Sequence, residues 1–196
     1  MMRCRISLLA IPVILCSVFF SGCTAEDEII LTTEPTTTVS SETTESTYDP
    51  FFAETLPPNF KEFALDGITL ILPEEFEEVP DQQWPAYYSG YSFVTVTREP
   101  FTVHPSLPYM TLDEYCDALI ASRNMDATVR VQGGLHWFDY ERKIPEAKQP
   151  ATYFVVVYQT STDFWIVEFA CQSQAAIRLR PFFFEWAKMV RFSENL

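Results

Sequence analysis

Basic residues, histidines and long apolar runs are all scarce in this 196-residue chain. Thirteen Lys and Arg stand against 27 Asp and Glu, a net charge of −14 at neutral pH. Charge of that sign and size repels phosphate backbones and anionic headgroups, which excludes nucleic acid and a membrane contact held by charge. The two histidines, His104 and His136, lie 32 positions apart with no ligand spacing around them. No tetrad of metal ligands exists, so the sequence points to no metal and no cofactor. No catalytic motif and no internal repeat is present. The longest apolar run, Ile6 to Phe20, falls short of the roughly 20 residues that a membrane-spanning helix needs, and Pro12 interrupts it.

What is there begins with that run. Arg3 and Arg5 precede it and Ser21-Gly22-Cys23 follows, the layout of an export signal. The Ser-Gly-Cys end resembles the lipobox of bacterial lipoproteins. The resemblance implies a signal peptide over 1–22, lipidation of Cys23, and a membrane-anchored position on the extracytoplasmic face. Cleavage after Ala25 and a retained membrane helix are the alternatives. Two or more acyl chains make a stable tether, each buried methylene contributing about 0.8 kcal/mol. Loss of Arg3 and Arg5 would take the charge from −14 to −16.

Residues Thr24 to Pro50 are dominated by Thr, Ser and Glu, with seven acidic and no basic side chains. Such a stretch cannot bury enough apolar surface to fold, and its charges keep it extended. With Cys23 it reads as a spacer over 23–50, reaching about 90 Å at most beyond the anchor. Its threonines are also candidates for glycosylation. From Phe51 to Leu196 the chain has the length of one globular domain, and its charge is still negative. Of the five cysteines, Cys116 and Cys171 fall in that domain, either as a pair or as two buried free thiols.

Periodicity sketches the elements. Residues Ile68 to Leu72 alternate and stop at Pro73, and Tyr91 to Thr97 alternate again, so both read as strands. Thr111 to Arg123 switches to helical spacing, with Leu112, Tyr115, Cys116, Leu119 and Ile120 on one face. Thr111 and Glu114 have the spacing of a capping box. Gly133-Gly134 predicts a tight hairpin between 128–132 and 135–141. A second hairpin is expected between 152–160 and 163–171, with Val155 and Val157 on one face and Phe154 and Val156 on the other. Apolar side chains on both faces predict a central strand covered above and below. Leu179, Phe183, Trp186 and Val190 predict a last helix over 174–188 that Pro181 starts, kinks or breaks. The class is α+β, with helices on a mainly antiparallel sheet.

Four segments carry a family resemblance: Asp66-Gly67-Ile68 leading to Leu72-Pro73-Glu74-Glu75-Phe76, Thr111 to Tyr115, Asp163 to Cys171, and Phe183 to Ala187 with Val190 to Phe192. They resemble the PsbP-like fold of photosystem II extrinsic proteins, a Ran-binding nuclear protein and small bacterial lipoproteins. That resemblance implies an α-β-α sandwich, no shared catalytic set, and a role in binding and stabilising larger assemblies.

Candidate residues follow from chemistry. Cys116 and His136 are the one conceivable nucleophile and base, although Cys116 falls on an apolar helix face where a buried thiol is the ordinary outcome. His104 beside Pro105 reads as a surface residue. Glu74, Glu75, Glu77, Glu78 and Asp81 lack the spacing of a calcium loop and read as a solvated acidic loop. Trp84, Tyr87 and Tyr88 near one strand, and His136, Phe138 and Tyr140 on one strand face, are candidate contacts for a protein or glycan partner. The competing reading places them in the core. Trp165, Phe169, Phe183 and Trp186 are assigned to the core outright. The expectation is a binding lipoprotein of the cell envelope rather than an enzyme. An envelope-acting enzyme and a small-ligand or carbohydrate carrier are the alternatives.

Overall fold

Strands whose side chains alternate between two faces need a layer on each, and this chain supplies both. The computed structural model describes residues 59–144 and 149–193. The expected leader, Cys23, the tether and the first residues of the expected domain lie outside the described residues. The elements run β1 (Phe60–Leu65), β2 (Ile68–Pro73), β3 (Glu77–Glu78), β4 (Ala86–Tyr88), β5 (Ser92–Pro100), α1 (Leu112–Ser122), β6 (Arg130–Gln132), β7 (Leu135–Arg142), β8 (Ala151–Gln159), β9 (Asp163–Gln172), α2 (Ala176–Lys188) and β10 (Arg191–Phe192).

Seven strands form one sheet in the order β3-β4-β5-β9-β8-β7-β6, antiparallel throughout. β1, β2 and β10 form a second, three-stranded antiparallel sheet. The α+β class is the one the chain adopts, with a helix on each face of the large sheet. Helix α1 sets Tyr115, Cys116 and Leu119 against Phe138, Val155, Val157, Phe164 and Ile166. Helix α2 sets Leu179, Phe183 and Trp186 against Phe154, Val156 and Phe169 on the other face, where Ile68, Leu70 and Leu72 of the small sheet join them. Each large apolar side chain so enclosed contributes about 1.5–3 kcal/mol.

Local chemistry explains the well-formed elements. The Thr111 hydroxyl accepts from the Glu114 N–H at 3.3 Å, and the Glu114 carboxylate accepts from the Thr111 N–H at 2.8 Å. This reciprocal pair starts α1 at the expected place. Gly133 and Gly134 turn between β6 and β7 with φ of 57° and 78°, values that other residues adopt only at a cost. β8 lies between β7 and β9 and is buried on both faces over Phe154 to Val157, as its two apolar faces require.

Pro181 neither starts nor breaks the last helix; it sits inside α2. Its missing N–H would have met the carbonyl of Ile177, and both residues lie on the exposed side of the helix, where water can take that carbonyl's place. Three features escape the periodicity. β1 breaks a period of two with Phe60, Phe63 and Leu65. β3 and β10 are two residues each, and the second sheet exists through pairing of β2 with β1 and β10 rather than with its sequence neighbours in the large sheet.

Candidate functional site

The register of the large sheet decides which aromatic side chains share a surface. Tyr88 in β4 pairs with Phe93 in β5, Phe93 with Ala170 in β9, Ala170 with Tyr153 in β8, and Tyr153 with Tyr140 in β7. Directly paired residues point to the same face, so these five form one row across five strands. Four strand spacings make the row about 19 Å long. It lies on the α1 face. Phe138, Val155 and Ile166, which α1 covers, belong to the same face in the rows that follow. In the row itself Tyr88, Phe93, Tyr153 and Tyr140 are half-buried. Tyr153 and Tyr140 stack with centroids 4.9 Å apart and planes 6° from parallel.

A polar cluster borders the row where α1 ends. The Arg123 guanidinium donates to Glu168 at 2.9 Å, and the Tyr140 hydroxyl donates to the other Glu168 oxygen at 3.0 Å. Burial opposes the charge on Arg123, but the Glu168 carboxylate outweighs it and holds the guanidinium firmly protonated. Burial, then the Glu168 charge, pushes the Tyr140 hydroxyl up, so it remains a donor at any physiological pH. In the first turn of the helix the Tyr115 hydroxyl donates to Glu99, and the Tyr115 ring stacks on Phe164 with centroids 3.9 Å apart.

The six aromatic and histidine candidates separate. Tyr88 and Tyr140 stand at the two ends of the row. Phe93 and Tyr153, which complete it, are not among the six; their alternation placed them in strands, but pairing is what aligns them with Tyr88 and Tyr140. Tyr87 is 2% exposed and does not belong to a contact surface. It points to the opposite face, where its ring meets Phe63 at 4.4 Å, and burial, then Glu78, pushes its hydroxyl up to about 12. Phe138 is 0% exposed because α1 lies over it, so it too is core. His136 is in the Val157 row, and its Nδ1 lies 2.8 Å from an Asp113 oxygen near the start of α1. Trp84, 37% exposed, lies in the loop before β4, at the other side of the sheet from His136 and Tyr140.

The nucleophile reading meets a direct obstacle. Cys116 is fully buried and its thiol is pushed up to about 12, by burial first and then by Asp113 and Asp117. It is protonated near neutrality and out of a substrate's reach, while His136 pairs with Asp113. Cys171 is buried on the other face, its thiol pushed up to about 11, so the two cysteines are free thiols on opposite sides of the sheet. The acidic residues Glu74, Glu75, Glu77, Glu78 and Asp81 are exposed. Among the described residues no group of three His, Cys, Asp or Glu side chains is placed to hold a metal ion. Nor is any described helix long and apolar enough to cross a membrane. His104 is half-buried, its Nδ1 2.7 Å from the Ser106 hydroxyl. It belongs to the β5–α1 loop, whose Val103 and Tyr109 are 57% and 87% exposed.

No protein-family model matches the sequence, and no curated protein matches it either. Among solved structures the chain is similar to cyanobacterial PsbP from Synechocystis sp. PCC 6803, at 10% identity and a TM-score of 0.45, over 72% of this chain and 96% of that one. It is similar to a protein from Bacteroides thetaiotaomicron VPI-5482 at 11% identity and a TM-score of 0.47, over 70% of this chain and 50% of that one. A third likeness is to LpqN of Mycobacterium tuberculosis, described as involved in cell envelope biogenesis, at 10% identity and a TM-score of 0.37, over 69% and 92% of the two chains. At such values the likeness is one of general chain path, and no residue role passes across it.

Proposed function

We propose that this chain is a binding lipoprotein, held by lipid on Cys23 at the extracytoplasmic face of a membrane, and that its domain engages a component of the cell envelope. The observation that carries the reading is the Tyr88–Phe93–Ala170–Tyr153–Tyr140 row, whose four aromatic side chains are half-buried while α1 covers Phe138 and Val155 in the next row. Rigid aromatic side chains on a strand scaffold present large contact area at low entropic cost, and a polar border of Arg123 and Glu168 supplies direction. The Ser-Gly-Cys end of the leader supports the anchor, and the acidic spacer supports reach from the membrane.

The test is a cross-linked recovery of partners from detergent-solubilised native membranes with the full lipoprotein. Wild type is expected to bring down one envelope component in near-stoichiometric amount, and Phe93→Ser to lose it. Tyr109→Ser, on the exposed loop remote from the row, is expected to retain it. Recovery of nothing with wild type, or equal recovery with Phe93→Ser, counts against the reading.

A further inference from the structure

Helix α2 turns apolar side chains to solvent. Its exposed residues are Ile177, Arg178, Pro181, Phe182 and Glu185, which at about 100° per residue share one face. The outer face of a helix that packs on a sheet is ordinarily polar. Here Ile177 is 88% exposed and Phe182 is 52% exposed. The core takes Leu179, Phe183 and Trp186 from the other side of the helix, so the stripe has no cover within the described residues.

The charges in the stripe complement themselves. Arg178 and Glu185 stand two turns apart near its middle, with Ile177 on one flank and Phe182 on the other. Arg180 and Lys188, the other basic side chains along this part of α2, are held by Asp139 and Glu185. Arg178 has no carboxylate partner among the described residues. The Glu185 side chain is 63% exposed and gives one oxygen to Lys188 at 2.8 Å, which leaves the other to accept. A second α2 laid antiparallel, about a two-fold axis between positions 181 and 182, sets each Arg178 opposite the partner's Glu185. The same axis brings Phe182 to the partner's Phe182 on one flank and Pro181 to the partner's Pro181 on the other, offset by about 1.5 Å along the helix. A two-fold contact requires this reciprocity, in which each residue of a pair meets the other twice. Parallel pairing would instead set Arg178 against Arg178 and Glu185 against Glu185, and like charges in contact repel. A lipid surface would leave the Glu185 carboxylate pressed against headgroups without a partner.

We infer that α2 pairs antiparallel with α2 of a second copy of this chain, through Ile177, Pro181 and Phe182 and two Arg178–Glu185 ion pairs. The inference goes beyond the binding role proposed above and does not depend on it. Helix α2 and the aromatic row lie on opposite faces of the large sheet, so the pair would present two rows pointing outward. Two such surfaces joined in one particle bind a repeated or clustered target more tightly than either alone.

The test is light scattering of the full lipoprotein in detergent, with the detergent mass subtracted, over a concentration series reaching about 100 µM. Wild type is expected to rise to the mass of two chains. Phe182→Asp, Arg178→Glu and Glu185→Arg, all on exposed side chains, are each expected to weaken the pair by about tenfold with circular dichroism unchanged. The double variant Arg178→Glu with Glu185→Arg exchanges the charges and is expected to restore it to within about threefold. Tyr109→Ser is expected to behave as wild type. One-chain mass at every concentration overturns the inference, as does a dimer that Phe182→Asp leaves unchanged, or a double variant no better than its singles. A fluorophore on Phe182→Cys that brominated lipid quenches in vesicles, with the mass still that of one chain, places α2 on lipid and overturns it too. Loss of partner recovery with Phe93→Ser is a separate readout, so the binding role stands or falls without α2.

Discussion

Asp163 keeps a buried charge because Arg98 meets both of its carboxylate oxygens, at 2.8 and 3.0 Å, and the Thr162 hydroxyl adds a donor at 2.5 Å. Burial alone would raise this carboxyl. The hydrogen bonds from Arg98 and Thr162, with the Arg98 charge, outweigh it and hold Asp163 below the ordinary carboxylate range. A depressed folded-state pKa contributes stability that is present above the unfolded value of about 3.9 and lost as pH falls through the folded value. Asp163→Asn is therefore expected to be less stable than wild type at pH 7. In urea titrations the difference should shrink as pH drops below about 4. Because Arg98 is partly exposed, Arg98→Met is expected to cost about 1–3 kcal/mol rather than the full penalty of a wholly buried pair. The cysteines give a second residue-level expectation. Cys116 and Cys171 are both buried with raised pKa values, so neither should react with iodoacetamide at pH 8 in the folded protein. Both should react in 8 M urea, a denaturing concentration of about that order. Labelling of Cys116 in the native protein would contradict its placement under α1.

Elements differ in how much of their cause is local. Helix α1 is written within a few residues, by the Thr111–Glu114 capping box and an apolar stripe one turn apart. Thr111→Ala should lower stability by about 1 kcal/mol in urea titration, and Thr111→Ser by much less. The β1–β2 turn needs a distant partner as well. Gly67 has φ of +91°, and a Cβ there would lie 2.9 Å from the Trp165 ring. Gly67→Ala is expected to destabilise by about 1–3 kcal/mol through backbone strain and displacement of that ring. The Gly133-Gly134 hairpin and the buried faces of β8 are readable from composition in the same way as α1. The small sheet is not, because β1 and β10 acquire strand identity by pairing with β2, more than a hundred residues from β10. Pro181 is likewise ambiguous until the exposed side of α2 is known.

For the molecule as a whole, anchoring and binding are separable expectations. Cys23→Ser should abolish incorporation of labelled palmitate and move the protein from the membrane to the soluble fraction. Retention in the membrane would instead favour a spanning leader.

The net charge is a sum over the composition, and the Ser-Gly-Cys motif, the Thr/Ser/Glu bias of 24–50 and the periods of most elements are properties of short contiguous windows, which is why they can be read from the chain alone. The α+β class follows from the order of those periods. The aromatic row cannot be read so, because it is made by register. Tyr88, Phe93, Ala170, Tyr153 and Tyr140 are scattered over 82 positions, and hydrogen bonding of five strands brings them into one line. The same long-range packing removed Tyr87 and Phe138 from that surface. Phe63 covers the one and α1 covers the other, and a side chain's exposure depends on whatever the rest of the chain lays over it.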